Sequence, residues 1–313
     1  MTLAFVFPGQ GSQAVGMGHD LAEAFPAARH VFEEVDDALG QKLSKVMFEG
    51  PEETLVLTEN AQPALMAVSM AVMRVLAEDG NIALADKAAF VAGHSLGEYS
   101  ALAAASAISL GDAARLLKLR GQSMQKAVPV GVGAMAAIIG PEFDVVRDIA
   151  AQAAAGDVCD VGNDNAPGQV VLSGDKAAVE RAVKIAADQG VRRSIMLPVS
   201  APFHCALMKP AADAMEEALA ETQLLAPVVP VVANVTAEAV SDPALIRELL
   251  VRQVTEMVRW RECVLYMKGQ GVDTLVELGA GKVLGGLTRR IDREMTGRSV
   301  QGPDDIEELL KSL

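Results

Sequence analysis

A serine between two glycines is the first candidate for chemistry in this sequence. Ser95 lies in "GHSLG", residues 93 to 97. The preceding apolar residues 88 to 92 predict a buried strand, and residues 99 to 107 predict a helix, which places Ser95 in the turn between them. G-x-S-x-G in that context is typical of a nucleophile elbow, where a Cβ on either glycine would collide with neighbouring backbone. A structural Gly-Ser turn is the alternative, and we expect a nucleophile beside a helix N-terminus.

A serine nucleophile needs a base, and the sequence has four histidines. His94 adjoins Ser95, so its side chain should point away from the hydroxyl. His19 and His30 lie in a predicted exposed and charged helical region. By elimination, His204 in "SAPFHCALM" is the expected base.

Arg120 falls on the apolar face of a predicted helix over residues 109 to 127. At about 100° per residue it shares that face with Leu117 and Met124. A buried guanidinium must meet an anion, because an unpaired buried charge costs several kcal/mol. Its partner is either a buried Asp or Glu or the carboxylate of a substrate, which a guanidinium binds through two parallel hydrogen bonds.

The charge balance argues against nucleic acid as the main partner. The 313 residues carry 27 Lys and Arg against 41 Asp and Glu, a net charge of −14, whereas phosphate binding needs a basic face. The start "MTLAFVFPGQG" predicts a first strand and not a signal peptide. We expect no membrane span, since no apolar run approaches about 18 residues.

The three cysteines, Cys159, Cys205 and Cys263, are widely spaced and form no C-x-x-C pair. This predicts free thiols in a reducing compartment, and we expect the cytoplasm. Cys205 is a poor rival nucleophile, because it adjoins His204 and no elbow surrounds it. Without H-E-x-x-H or a Cys/His cluster, we expect no metal site.

Two glycine-rich segments resemble nucleotide-binding loops. "GQGSQA", residues 9 to 14, fits a loose dinucleotide fingerprint, but Pro8 splits strand from loop and no second strand with an acid follows. "ELGAGKV" fails as a phosphate loop, because Val276 replaces its first glycine and Val283 its Ser or Thr. We expect both to be turns. For the first segment, the alternative is that its backbone N–H groups face the elbow and help to bind an oxyanion.

Alternating strands and helices predict an α/β fold with a mostly parallel, helix-covered sheet. Residues 126 to 198 follow a βαββαβ order, which predicts an inserted ferredoxin-like domain. The large domain then comprises residues 1–125 and 199–313. The predicted helices include 20–39, 62–79, 142–155, 176–189, 210–221 and 243–254, and the predicted strands include 3–7, 193–198, 228–233 and 274–278.

The motifs together resemble the malonyl-CoA:acyl carrier protein transacylase family over essentially the whole chain. The matching segments are "FPGQGSQ" (7–13), "QPA" (62–64), "GHSLGEYSAL" (93–102), "RGQSMQ" (120–125), "NDNAPGQVVLSG" (163–174), "PFHC" (202–205), Gln253 with "VRW" (258–260), and "ELGAGKVLGGL" (277–287). Met257 and Ala280 depart from the pattern at positions where prolines are commoner, and both lie in predicted turns. The resemblance implies an α/β-hydrolase-like large domain with a ferredoxin-like insertion.

The resemblance also implies roles for individual residues. Ser95 would be the nucleophile, His204 the base and Arg120 the clamp for the malonyl carboxylate. The backbone N–H groups of Gln10 and Leu96 would form the oxyanion hole.

Further roles concern the surroundings of this centre. The main-chain carbonyl of Gln253 would orient His204. Asn163 would line the cleft between the domains, and Met124 belongs with the substrate-binding residues. Phe203 matches the pattern that accompanies malonyl preference in this family.

The activity implied is ping-pong malonyl transfer from malonyl-CoA to phosphopantetheinylated acyl carrier protein, without a cofactor, by a monomer. Acyl carrier proteins are acidic, so docking needs a local basic patch, either Arg192 with Arg193 or Arg289 with Arg290 and Arg293. The alternatives are a serine thioesterase or esterase, a polyketide-pathway acyltransferase and an inactive docking module.

Overall fold

The computed structural model describes residues 2–313 and contains two β-sheets. The strands are β1 (Leu3–Phe7), β2 (Ala88–Gly93), β3 (Gly133–Ile139), β4 (Cys159–Ala166), β5 (Gln169–Asp175), β6 (Arg193–Met196), β7 (Val231–Val232), β8 (Ala239–Val240), β9 (Thr274–Leu278) and β10 (Thr296–Val300).

Helices cover both sheets. They are α1 (His19–Ala24), α2 (Pro26–Leu39), α3 (Leu43–Glu49), α4 (Glu52–Leu55), α5 (Thr58–Glu78), α6 (Leu84–Lys87), α7 (Gly97–Ala104), α8 (Leu110–Ala127), α9 (Phe143–Ala154), α10 (Lys176–Asp188), α11 (Lys209–Glu221), α12 (Pro243–Gln253), α13 (Trp260–Gly269), α14 (Val283–Ile291) and α15 (Pro303–Ser312). Within the described part of the chain, no helix is both long and apolar enough to cross a membrane.

The larger sheet has six strands in the order β10-β9-β1-β2-β7-β8. All its neighbouring strands are parallel except β7 and β8. Every residue of the apolar β1 is buried, as expected of a parallel strand covered on both faces. Because β1 and β2 are parallel neighbours, the loops that follow Phe7 and Gly93 lie at the same edge of the sheet.

The smaller sheet has the order β4-β5-β3-β6, and all its neighbours are antiparallel. Its elements follow the chain order β3, α9, β4, β5, α10, β6, which is the predicted ferredoxin-like order. The apolar faces of α9 and α10 pack on this sheet around Ile138 and Leu172. The α/β fold class, with a mostly parallel sheet and a second antiparallel one, is confirmed.

Prolines explain two differences from the predicted elements. The helix predicted over 20–39 is two helices, because Phe25 before Pro26 is extended (φ −128°, ψ 119°), as a residue before proline prefers. The strand predicted over 228–233 is only Val231–Val232. Pro230, which has no N–H to donate to a ladder, precedes it.

The smaller sheet is attached to the rest of the chain along β4, which is longer than predicted. The prediction placed "NDNAPGQ" between two strands, but β4 runs through Ala166, so only Pro167 and Gly168 connect it to β5. Asn163 forms a bridge with Val258 of the segment before α13. This attachment places the polar end of β4 beside the elbow that follows β2.

Candidate active site

Ser95 lies in the tight turn between β2 and α7. Its φ of 53° is in the left-handed region, which is strained for a residue with a side chain. A Cβ on Gly93 would lie 1.9 Å from the carbonyl of Gly97, and one on Gly97 would lie 2.3 Å from the carbonyl oxygen of Phe7. Both glycines are therefore required, as the elbow motif predicted.

His204 joins Ser95 from the loop before α11. Its Nε2 lies 2.7 Å from Ser95 Oγ, and its Nδ1 lies 2.8 Å from the main-chain oxygen of Gln253. A carbonyl oxygen only accepts, so Nδ1 carries the proton and Nε2 is free to accept the serine proton. Burial, with the nearby Arg120 charge, lowers the pKa of His204 from 6.5 to about 3. The imidazole is therefore neutral and can act as a base.

Arg120 projects from α8 into the same centre and is 1% exposed. One terminal nitrogen donates to Ser95 Oγ (3.1 Å) and to Gln253 Oε1 (2.9 Å), and the other donates to Gln62 Oε1 (2.8 Å). Its Nε has no hydrogen-bond partner within residues 2–313. Of the two alternatives weighed from the sequence, the ion pair with a buried acid is not formed by the described residues. The hydrogen-bond partners of the guanidinium among the described residues are therefore uncharged, and its positive charge lies beside the serine without a carboxylate.

The two backbone N–H groups predicted to form the oxyanion hole belong to residues that line the cavity at Ser95. Gln10, in the loop after β1, and Leu96, next to the serine, both line the cavity that contains Ser95. Neither N–H donates a hydrogen bond elsewhere in the part of the chain described. The side chain of Gln10 donates to Thr58 Oγ1 across 3.2 Å, which ties the first loop to the start of α5. Both groups are available to an oxyanion.

The cavity at Ser95 has a volume of about 420 Å³. It contains eight of the nine predicted site residues, and Gln253 is buried behind its wall. The lining residues are Gln10, Gly11, Gln13, Gln62, His94, Ser95, Leu96, Arg120, Met124, Met135, Asn163, Asn165, Val171, Leu197, Pro198, Val199, Phe203 and His204. Asn163 and Phe203 enter from the side of the smaller sheet, so the cavity lies between the two sheets.

The side chain of His94 does not approach the serine hydroxyl. Its Nε2 lies 2.8 Å from Asn165 Oδ1 on β4, and burial lowers its pKa. The geometry therefore agrees with the expectation that neighbours in an elbow do not pair.

Sequence reasoning missed three polar residues that support this centre. Asn234 accepts from the backbone N of Ser95 (2.8 Å) and donates to Gly93 O (2.7 Å). The buried Glu98 accepts from the backbone N of Asn234 (2.9 Å), and Gln62 holds Arg120. Gln62 and Glu98 stand inside quoted motifs, so their positions carried a signal. Asn234 lies in a loop without a local signal.

The described residues that line this cavity include no group of three metal-binding side chains. Among residues 2–313, the one group of three possible ligand side chains, His19, Asp20 and Glu23, is exposed at α1. The three cysteines are free and buried.

Comparison with known proteins identifies the family. A family model described as "Acyl transferase domain" matches residues 4–293. This chain belongs to the acyl transferase family. Two curated members are named malonyl CoA-acyl carrier protein transacylase. That of Bacillus subtilis (strain 168) is 43% identical over 99% of this chain and 97% of its own length. That of Escherichia coli (strain K12) is 47% identical over 98% of each chain.

Solved acyl transferase structures agree with the fold. An acyl-carrier-protein-S-malonyltransferase from Bartonella henselae is 54% identical, with a TM-score of 0.97 over 100% of this chain and 99% of that one. A malonyl-transacylase solved in complex with a type II PKS acyl-carrier protein is 44% identical, with a TM-score of 0.96 over 100% of both chains. The resemblance to the malonyl-CoA:acyl carrier protein transacylase family is confirmed.

Proposed function

We propose that this protein transfers a malonyl group from malonyl-CoA to the phosphopantetheine thiol of acyl carrier protein through a malonyl ester of Ser95. The observation that carries the proposal is the buried guanidinium of Arg120, 3.1 Å from Ser95 Oγ and without a carboxylate partner within residues 2–313. A cation held beside a nucleophile suits an acyl group that ends in an anion.

Loading begins when Nε2 of His204 takes the proton of Ser95, whose oxygen attacks the thioester carbonyl of malonyl-CoA. The tetrahedral intermediate places its negative oxygen at the N–H groups of Gln10 and Leu96. The C–S bond then breaks, and protonated His204 gives its proton to the departing CoA thiolate. The products are malonyl-Ser95 and CoA.

Unloading reverses these steps with a second thiol. His204 takes the proton of the phosphopantetheine thiol, and the thiolate attacks the malonyl ester. The C–O bond to Ser95 breaks, and the serine oxygen recovers the proton from His204. Gln253 keeps the Nδ1 proton of His204 on the far side of the ring throughout, so the imidazole needs no third carboxylate.

Arg120 gives the site its selectivity. Two parallel hydrogen bonds from the guanidinium to the malonyl carboxylate would hold the acyl carbonyl in position for attack. Buried apolar walls formed by Met124 and Phe203 limit the room beside it, which supports a small acyl group.

A serine thioesterase on the same elbow is the competing activity. Such an enzyme has no need of a buried cation at the nucleophile, and Arg120 therefore favours transfer of a dicarboxylic acyl group. An inactive docking module is disfavoured by the 2.7 Å contact between Ser95 and His204.

The carrier protein needs a basic surface near the cavity mouth. Arg192 and Arg193 are exposed at the start of β6, and this strand leads directly into Leu197 and Val199 of the cavity wall. The rival cluster lies at the end of α14, where Arg290 donates to Gln169. We favour the pair at β6. We expect a cytoplasmic monomer that uses no cofactor.

The experiment that tests this function separates transfer from hydrolysis. Malonyl-CoA is mixed with the protein and with phosphopantetheinylated acyl carrier protein, and malonyl carrier protein and free malonate are both measured. The proposal requires loaded carrier protein and its loss in Ser95→Ala. Free malonate without loaded carrier would make the protein a thioesterase.

A further inference from the structure

A buried carboxylate that the mechanism above does not use lies beneath the nucleophile. Glu98, in the first turn of α7, is 2% exposed. Its Oε2 accepts from the backbone N of Asn234 (2.9 Å) and from Nε2 of Gln253 (3.0 Å). Buried carboxylates are expensive unless they are hydrogen-bonded, so its place beside the active centre calls for a function.

The carboxylate of Glu98 decides which way the side-chain amide of Gln253 faces. Nε2 of Gln253 lies near three oxygens, Ser95 O (3.0 Å), Glu98 Oε2 (3.0 Å) and Asn234 Oδ1 (3.3 Å). An ionised carboxylate only accepts, so the amide must present NH₂ to it. The reversed amide would place its oxygen against the Glu98 carboxylate and its NH₂ against the cation of Arg120.

The amide oxygen that is left faces Arg120. Gln253 Oε1 accepts from Arg120 across 2.9 Å, and the same guanidinium nitrogen donates to Ser95 Oγ. The second terminal nitrogen is held by Gln62. Arg120, Gln253 and Glu98 therefore form a chain of hydrogen bonds from the acyl site to a buried carboxyl group.

We propose that Glu98 is a positioning residue for the malonyl clamp: it fixes the orientation of the Gln253 amide, whose oxygen holds the Arg120 guanidinium beside Ser95. The inference rests on the proposed function. It differs from that function in a measurable way, because it concerns selectivity for malonyl over uncharged acyl groups and not transfer itself. An acetyl group has no carboxylate for the clamp to bind, so the kcat/KM for acetyl-CoA should not depend on Glu98.

The test compares Glu98→Gln with a matched variant, Glu277→Gln. Glu277 is also a fully buried carboxylate, but it accepts from Leu284 N (3.1 Å), Gly285 N (2.9 Å) and Ser299 Oγ (2.9 Å), outside the site. KM and kcat are measured for malonyl-CoA and for acetyl-CoA, with thermal unfolding as the check on folding. In Glu98→Gln, the malonyl-to-acetyl ratio of kcat/KM should fall about tenfold through a higher malonyl-CoA KM, the effect of one weakened charge-assisted hydrogen bond.

The control variant Glu277→Gln should be less stable than the wild type, and its malonyl-to-acetyl ratio of kcat/KM should be unchanged. A ratio that stays at the wild-type value in Glu98→Gln, or equal losses with both substrates, would overturn the positioning role. Failure of the wild type to load the carrier protein would instead overturn the proposed function, so the two failures are distinguishable.

The wild type supplies a second test that does not depend on the folding of a variant. Burial raises the pKa of Glu98 to about 7, although the Arg120 charge from α8 opposes this rise. The other ionisable groups facing it, Tyr99 of α7 and Cys263 of α13, have raised pKa values and stay neutral. The malonyl-to-acetyl ratio should therefore fall as pH drops from about 8 to about 6, when Glu98 takes up a proton. A ratio that is constant over this range would contradict the inference.

Discussion

The guanidinium of Arg120 lies 3.1 Å from the hydroxyl oxygen of Ser95, although the two residues are 25 positions apart in the sequence. Ser95 belongs to the turn before α7. Arg120 lies on the buried face of α8. Polar amide oxygens hold the cation without neutralising it. This arrangement is the physical basis for binding an acyl group that carries its own carboxylate.

Replacing Arg120 should change which acyl group is transferred. In Arg120→Ala the kcat/KM for malonyl-CoA should fall by about 100-fold, the equivalent of two charge-assisted hydrogen bonds, while that for acetyl-CoA changes little. In Arg120→Lys, the kcat/KM for malonyl-CoA should lie between those of the wild type and Arg120→Ala, since lysine keeps the positive charge and loses the planar pair of donors. Steady-state kinetics with both thioesters measure this effect. An unchanged malonyl-to-acetyl ratio of kcat/KM would show that Arg120 does not bind the malonyl carboxylate.

The base should remain active in mildly acidic solution. A base works in its unprotonated form, and lowering the pKa of His204 from 6.5 to about 3 keeps that form present down to low pH. With acetyl-CoA, which does not use the clamp, kcat/KM should show no loss between about pH 7 and about pH 5. A pH profile of acetyl transfer provides the measurement, and an acid limb near 6.5 would show that His204 titrates as an exposed histidine.

The elbow glycines should be intolerant of any side chain. Gly93→Ala and Gly97→Ala should each lower the free energy of unfolding by about 3 kcal/mol or more, because the added Cβ meets backbone that cannot move aside. Gly111 is the matched control, since a Cβ there lies 3.5 Å from its nearest neighbours. Gly111→Ala in α8 should be neutral or stabilising by up to about 1 kcal/mol. Denaturant unfolding measures all three, and equal effects would contradict the elbow argument.

Charge reversal at the docking surface should affect only the second half-reaction. Arg192→Glu combined with Arg193→Glu should raise the KM for acyl carrier protein about tenfold, since like charges at an interface slow association. Malonyl loading from malonyl-CoA should be unchanged. Reversal of Arg289 and Arg290 on α14 serves as the comparison. If only this second pair raised the KM, the docking site would lie at α14 instead.

The parts of the fold set by apolar patterns were predictable. The strand over 274–278 was predicted with the bounds that the structure shows, because its residues are mostly apolar and Gly279 follows them. The helical period also predicted that Arg120 lies on the buried face of its helix, because it shares that face with Leu117 and Met124. By contrast β10, whose sequence "TGRSV" is polar and mostly half-buried, carried no such pattern and was not predicted.

The supporting network of the site was not predictable, because it depends on long-range contacts. Asn234 is 139 residues from Ser95 in sequence and meets it only because β7 lies beside β2. Glu98 resembles an ordinary acid in the first turn of a helix, and its burial follows from the elbow that starts α7 at Gly97 instead of Tyr99. A local pattern pointed to the loop over residues 9–14, but only the resemblance to a family singled out Gln10, Leu96 and Gln253.

The central claim is that the acyl group passes through Ser95. Intact-mass spectrometry of the protein mixed with malonyl-CoA, before and after addition of phosphopantetheinylated acyl carrier protein, tests this most directly. The account predicts a malonyl adduct on the wild type that is absent in Ser95→Ala and that disappears as the carrier protein gains the same mass. An adduct that persists in Ser95→Ala, or carrier protein loaded by that variant at the wild-type rate, would contradict it.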